Sequence, residues 1–317
     1  MKFSNVLITG CGGDIAQSIA KIIKDTAIAK KLIGCDISNE HAGELYFDIC
    51  EKIPRANDPS YFDSIKTLIS KHNIDLIIPI SEAEIAQFIK NNYQDEILNT
   101  PVVLAPSHVI EIGLDKLNTI KFLKNNKLDY PWTTEVSGSK QPPIPCILKQ
   151  RIGQGSKGLM IIDAPVFIKY YQNKRPNDLW QELLLPHDEE YTCGLYRSHA
   201  KEIRTICIKR KLQGGLTGSG IVCNNDHINN YLNKIADCLN LQGSINVQLR
   251  LTSRGPVAFE FNPRFSSTVY FRHLLGFKDL IWSLQEKLHI PLDKYSPPKE
   301  GTKIFRGAKE FIIENNL

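Results

Sequence analysis

The chain has 317 residues, 42% of them hydrophobic, enough to bury a sizeable core, and its length suits two domains or one domain with appendages. Lys and Arg number 39 against 34 Asp and Glu, a formal charge of +5. The basic residues are dispersed, the densest cluster being Lys209-Arg210-Lys211, which argues against a nucleic-acid partner because no basic stripe is present. The eight cysteines form no C-x-x-C pair and no Cys/His metal spacing, so they read as small apolar residues of a reducing compartment. No secretory leader is legible at the start and no apolar run reaches the length of a membrane span, so a cytoplasmic protein is expected.

In chain order, the first hundred residues alternate short apolar runs (6–9, 32–35, 76–79 and 102–104) with helical patterns at 15–23, 64–70 and 82–90. That spacing predicts βαβ units and an open, doubly wound parallel sheet. A different pattern begins near residue 112, where a helix over 116–125 leads into Tyr130-Pro131-Trp132. Beyond it, strands at 132–136, 146–150, 159–162, 179–184, 191–196 and 202–209 follow one another closely, which predicts antiparallel sheet and α+β character. Residues 137–145 read as a loop and 169–176 as a polar connection.

The most informative stretch is residues 243–264, GSINVQLRLTSRGPVAFEFNPR. Residues 245, 247, 249 and 251 are apolar while Asn246, Gln248 and Arg250 are polar, the period of a strand with one buried face. In the next run Val257, Phe259 and Phe261 alternate with Ala258, Glu260 and Asn262, so Glu260 and Asn262 are expected on one face, roughly 6.6 Å apart. A hairpin centred on Arg254 sets Gln248 opposite Glu260. A carboxylate and two carboxamide oxygens converging on one face are hard ligands of the kind Mg²⁺ prefers, which makes Gln248, Glu260 and Asn262 candidate metal ligands.

Two further stretches carry chemistry. From Lys149 to Gly158 the loop KQRIGQGSKG has three glycines and a lysine towards each end, a composition that lets backbone N–H groups approach an anion, although it is no Walker A motif. From Trp180 to Tyr191 an apolar strand ends in a turn with Glu189 and Glu190, which fits a hinge that reads a nucleotide base and ribose.

Lys116, Lys149, the 153–158 loop, the 181–190 hinge and Gln248…Glu260-x-Asn262-x-Arg264 stand in the order found in ATP-grasp ligases. Over nearly its whole length the chain resembles stand-alone proteins related to one half of the carbamoyl phosphate synthase large subunit. The resemblance implies a Rossmann-like pre-ATP-grasp domain (1–111), a small ATP-grasp subdomain (112–180) and a large one carrying the metal site (181–317). It implies that Lys116 and Lys149 bind the ATP phosphates and that the loop closes over them through Gly155, Ser156, Lys157 and Gly158. Glu182, Leu183 and Leu184 would line the adenine pocket, and Glu190 would bind the ribose. Gln248 and Glu260 would hold one Mg²⁺ and Glu260 and Asn262 a second, with Mn²⁺ able to substitute. Lys149, Arg264 and, less centrally, Arg210 would be the catalytic cations. The partners implied are a small-molecule carboxylate and an amine, with neither nucleic acid nor membrane, and a homodimer through the N-terminal domain is compatible with it.

The expected reaction is carboxylate–amine or carboxylate–thiol ligation through an acyl phosphate. One departure is that Phe265-Ser266-Ser267-Thr268 follows the N-P-R run where carbamoyl phosphate synthases carry a further arginine, which argues against bicarbonate as acceptor. Arg264, Tyr270, Arg272, His273 and the 214–220 loop are expected to border the acceptor.

Two rival readings stand beside the ligase. Gly10-Cys-Gly12-Gly13-Asp14 follows an apolar strand, with Asp36 at the end of the next, as in a nicotinamide-dependent oxidoreductase, although Ile15 occupies the place of the third glycine. A non-catalytic nucleotide-binding module with the same architecture is the other.

Overall fold

The computed structural model describes residues 2–138, 141–153 and 158–307. Strands β1 (Phe3–Thr9), β2 (Ala29–Asp36), β3 (Ile49–Lys52) and β4 (Leu76–Ile78) form a parallel sheet in the order β3-β2-β1-β4, with Val6 opposite both Leu32 and Leu76. Their central residues, among them Val6, Leu7, Leu32, Ile33, Leu76 and Ile77, are apolar on both faces because helices cover both. Helix α1 (Asp14–Thr26) lays Ala16, Ile19, Ile22 and Ile23 over Val6, Ile8 and Ile78. Helices α2 (Tyr61–His72) and α3 (Glu82–Lys90) cover Leu7, Ile33 and Ile77 on the other face with Ile65, Leu68 and Phe88. All three helices begin within three residues of the periodicity that predicts them. The run at 102–104 contributes only a bridge from Val102 to Ile77, next to a small hairpin of β5 (Glu96–Ile97) and β6 (Thr100–Pro101).

Helices α4 (Ser107–Leu114) and α5 (Lys116–Asn125) follow, the second capped by Asp115 through the N–H groups of Leu117 and Asn118. Strands β7 (Thr133–Glu135), β8 (Cys146–Lys149), β9 (Met160–Ile162) and β10 (Leu179–Glu182) then build an antiparallel sheet in the order β7-β10-β8-β9. The polar connection expected at 169–176 is instead mostly the second half of helix α6 (Pro165–Lys174). Only Ile168 on that helix is buried, so its apolar periodicity is too weak to announce it.

The largest sheet, in the order β15-β14-β11-β12-β13-β16, joins β11 (Glu190–Arg197), β12 (Ile203–Gln213), β13 (Leu216–Cys223), β14 (Gly243–Thr252), β15 (Gly255–Asn262) and β16 (Lys303–Phe305). Much of the stretch expected as a loop at 214–220 therefore belongs to β13, Gly214 and Gly215 alone making the turn. Helix α7 (Asp226–Cys238) packs Ile228, Leu232 and Ile235 on one face of this sheet together with Val109 and Ile110 of α4 and Ile120 and Leu123 of α5. Each such fully buried side chain contributes about 1.5–3 kcal/mol. Helix α5 thus packs on the large sheet, and the boundary expected between residues 180 and 181 falls inside β10. Helices α8 (Val269–Leu274) and α9 (Asp279–Lys287) close the other side against α1 and β14.

The β14–β15 hairpin sets Gln248 opposite Glu260 as the pattern requires, by a route the pattern does not show. Thr252 pairs with Gly255, so the turn is the two residues Ser253 and Arg254 rather than one centred on Arg254. A register shift between Gln248 and Leu249 then inserts one residue into β15 and restores the pairing. The bulge also changes which residues share a face. Ala258, expected beside Glu260, packs in the core with Phe261, whereas Phe259, expected in the core, turns to a cavity.

Candidate active site

Two cavities meet on the polar face of β14 and β15. The first, of about 290 Å³, lies between the small antiparallel sheet and the large sheet, and Lys116, Lys149, Glu182, Leu183, Leu184 and Glu190 line it. The second, of about 980 Å³, lies between the large sheet and the C-terminal ends of the parallel strands, where open α/β sheets bind ligands. Arg210, Gln248 and Glu260 line both, while Asn262 and Arg264 line the second.

The side chains at this junction are fixed by charge. Lys149 is 6% exposed, with its Nζ donating to the Phe259 carbonyl at 3.2 Å. Burial pushes its pKa down to about 8; the Glu260 carboxylate opposes that fall and the neighbouring Lys116 ammonium adds to it. Lys116 donates to the Gly153 carbonyl, so two ammonium groups stand together on the wall of the first cavity. Arg210 donates to Glu190 Oε1 at 2.8 Å and to Gln248 Oε1 at 2.9 Å, and Arg250 donates to Glu190 Oε2 at 2.6 Å. Glu190 is therefore clamped between two arginines, which fixes its carboxylate at the cavity wall and leaves lone pairs open to the cavity.

The three oxygen-bearing side chains fit a hard cation. Glu260 makes no hydrogen bond among the described residues although it faces both cavities. Asn262 is 5% exposed, its Nδ2 has no partner, and its Oδ1 takes only a long 3.4 Å contact from Arg264. Gln248 Oε1 is the exception, being held by Arg210.

The structure brings together Lys116, Lys149, Glu182, Leu183, Leu184, Glu190, Arg210, Gln248 and Glu260 around the first cavity. Gly155, Ser156 and Lys157 lie outside the described residues. Gly158 is described but does not line the cavity; its carbonyl accepts from Arg175 at 2.7 Å. Of the residues expected beside the acceptor, Arg264 is there and Gly215 and Leu216 represent the 214–220 stretch. Tyr270, Arg272 and His273 are not. Tyr270 packs under Lys21 of α1, 4.1 Å from its ring centroid, and Arg272 is wholly buried beneath the sheet, paired with Asp279.

Asn246 is the functional candidate the sequence reading passed over. Its Oδ1 accepts from Thr192 Oγ1 at 2.8 Å and from Arg272, which leaves the NH₂ as the donor available to the cleft it lines. The signal was present, because Asn246 stands two residues before Gln248 on the same strand face.

The N-terminal turn does not have the form a dinucleotide needs. The N–H groups of Cys11, Gly12 and Gly13 are all spent, on Cys35 O at 3.1 Å, Asp36 Oδ2 at 2.9 Å and Gly10 O at 2.9 Å. The acid meant for a ribose thus occupies the turn meant for a pyrophosphate. The His41 ring lies against Gly12, where a Cβ would meet it at 2.7 Å. Cys11, Asp36 and His41 offer ligand atoms within 4.8 Å of one another, but His41 Nδ1 accepts from the Gly43 N–H at 3.0 Å. Its proton is then on Nε2, facing Cys11 Sγ at 3.6 Å, and the ring has no lone pair left for a metal.

Residues 6–103 match the family model described as "PylC-like, N-terminal domain", and residues 179–309 match "ATP-grasp in the biosynthetic pathway with Ter operon". The chain thus carries a PylC-like N-terminal domain followed by an ATP-grasp domain. Among solved structures it is similar to N5-carboxyaminoimidazole ribonucleotide synthetase from Thermus thermophilus, with a TM-score of 0.74 at 14% identity over 92% of this chain and 81% of that one. It is similar also to L-amino acid ligase from Bacillus licheniformis, with 0.71 at 16% identity over 89% and 74%. For biotin carboxylase from Campylobacter jejuni the figures are 0.72, 12%, 95% and 74%. At these identities the likeness is one of fold. A comparison with curated proteins gives no match, and none of the matches supports the oxidoreductase reading.

Proposed function

We propose that the protein is an ATP-dependent ligase that joins a carboxylate to an amine, or to a thiol, through an acyl phosphate, with ADP and phosphate as the other products. The observation that carries this reading is the meeting of two cavities at Gln248 and Glu260, one lined by Lys116, Lys149 and residues 182–184, the other wider and lined by Asn262 and Arg264. The first takes ATP. Lys116 and Lys149 hold its phosphates, the backbone of Glu182, Leu183 and Leu184 faces the base, and Glu190 meets the ribose. The second takes the acceptor. Its volume of about 980 Å³ is at the upper end for ligand sites, which favours an acceptor larger than a free amino acid.

Gln248, Glu260 and Asn262 would hold two Mg²⁺ ions, or Mn²⁺, whose charge offsets that of the transferring phosphoryl group. An acceptor carboxylate oxygen bonds to the γ-phosphorus as the bond to ADP breaks. Arg264 and Lys149 neutralise the equatorial oxygens, since phosphoryl transfer needs positioning and charge more than covalent help. The lone pair of the amine then attacks the acyl carbon, phosphate leaves with the C–O electron pair, and the nitrogen gives up its proton to solvent. We infer the division 1–111, 112–180 and 181–317 for the three functional parts, with β10 as the strand that links the last two. The decisive experiment measures ADP release from Mg-ATP across a panel of carboxylates and amines. Release that requires one of each establishes the reaction. Nucleotide binding without turnover across a broad panel would assign a non-catalytic module instead.

A further inference from the structure

A third cavity, of about 170 Å³, lies on the far side of Arg264 from the acceptor cleft, and Asp95, His199, Gln242, Ser244, Ser283 and Lys287 are in its wall. Four charged side chains line it: Arg264 is paired with Glu82, Glu286 is engaged by His199, and two of opposite sign, half-buried Lys287 and exposed Asp95, make no ion pair among the described residues. Lys287, half-buried at the end of α9, makes neither an ion pair nor a hydrogen bond among the described residues, and Asp95 makes no ion pair, taking only a 3.2 Å contact from Gln94. Glu286 is engaged at one oxygen, Oε1, which accepts from the His199 N–H at 2.6 Å. Burial lowers the pKa of Lys287, with Asp95 and then Glu286 pulling it back, as expected of an ammonium short of a direct partner.

The same wall connects to the acceptor cleft. Ser244, 8% exposed, donates to Asp279 Oδ2 at 2.7 Å, and Asp279 pairs with Arg272 at 3.2 Å, both side chains being 1% exposed. Arg272 donates in turn to Ser266 Oγ at 2.6 Å and to Asn246 Oδ1. Asn246 and Ser266 line the large cavity. One unbroken hydrogen-bonded chain therefore runs from the small cavity to the acceptor wall, and its central ion pair is dry.

We propose that the small cavity binds a zwitterion, a small α-amino acid, with its carboxylate on Lys287 and its ammonium group on Asp95, and that its occupancy is felt in the catalytic cleft through Ser244, Asp279 and Arg272. The volume of about 170 Å³ suits a ligand of roughly benzene size or smaller, well below what the acceptor cavity admits. Neither an anion nor a cation alone satisfies both walls.

Thermal unfolding of the full chain with glycine and L-alanine, against acetate and methylamine as single-charge controls, tests the site. At about ten times its Kd an amino acid raises Tm by roughly 2–3 °C, and neither control does. Lys287→Met and Asp95→Asn each abolish that shift while keeping the stabilisation by Mg-ADP, which shows that the fold and the nucleotide site are intact. Saturating L-alanine changes the Kd for Mg-ATP by threefold or more in the parent protein and leaves it unchanged in Ser244→Ala. The absence of any shift with both amino acids, a shift that survives in Lys287→Met, or an equal shift with acetate alone overturns the site. An ATP affinity indifferent to L-alanine overturns the coupling. Because each readout is binding, failure here is separate from failure of ligation.

Discussion

At the scale of single residues, Glu260 is the side chain on which the site depends. It is the carboxylate common to both cavities and no hydrogen bond among the described residues occupies it. Glu260→Ala is expected to lower ADP formation by about a thousandfold or more with an unchanged circular dichroism spectrum, because a preorganised charge is removed and no packing is. Normal turnover in that variant would remove the metal assignment. Gln248→Ala should instead shift the Mg²⁺ titration to higher concentration. Lys149 sets a pH limit. In the proposed role its ammonium holds phosphate only when protonated, and burial pushes its pKa down to about 8 in the free protein, so ATP affinity should hold below pH 8 and fall as pH rises through it, by up to about tenfold per unit. Lys149→Arg should move that break out of the accessible range, as a Kd–pH series would show. That Gln248 faces Glu260 was readable because polar side chains at period two on adjacent strands share a face. The places of Ala258 and Phe259 were not, because a bulge is a pairing irregularity and leaves no mark in the alternation.

At the scale of elements, the site depends on how closely α4 approaches the end of β15. A Cβ on Gly113 would meet three atoms of the Pro263 ring, the nearest at 2.7 Å. Pro263 separates Asn262, a proposed metal ligand, from Arg264, and its ring cannot rotate out of the way. Gly113→Ala should therefore cost about 1–3 kcal/mol in urea unfolding and lower kcat disproportionately, because the displaced strand end carries both functional side chains. The Arg272–Asp279 pair acts beneath the same sheet. Breaking it by Arg272→Met should cost about 3–5 kcal/mol, with Arg272→Met/Asp279→Leu recovering much of the loss, since what is removed first is a partner and not a net attraction. Equal destabilisation in the single and double variants would show that the pair itself holds the helix.

At the scale of the whole molecule, the N-terminal domain keeps the outline of a dinucleotide fold while its turn is closed by its own residues. Titration with NADH or NADPH should leave the cofactor fluorescence unchanged, and saturable enhancement would contradict the spent N–H groups of Cys11, Gly12 and Gly13. The domain contributes instead a wall of the large cavity through Gly10, Asp14, Asp36 and Arg55.

What the sequence determined by itself was whatever is local or periodic: the βαβ spacing, the helices of the first domain, the strand pair 245–262 and the order of the cationic and acidic motifs. Each arises from side-chain period or turn chemistry within a few residues, and those survive in a linear reading. Only the tertiary structure decided that Asp36 would fill its own turn, that Arg272 would be buried instead of facing a substrate, that α5 would pack on the large sheet, and that an extra residue would restore the register at Glu260. Those outcomes depend on which charges and volumes come into contact across tens to hundreds of residues, a matter of competing partners that no single stretch of sequence contains.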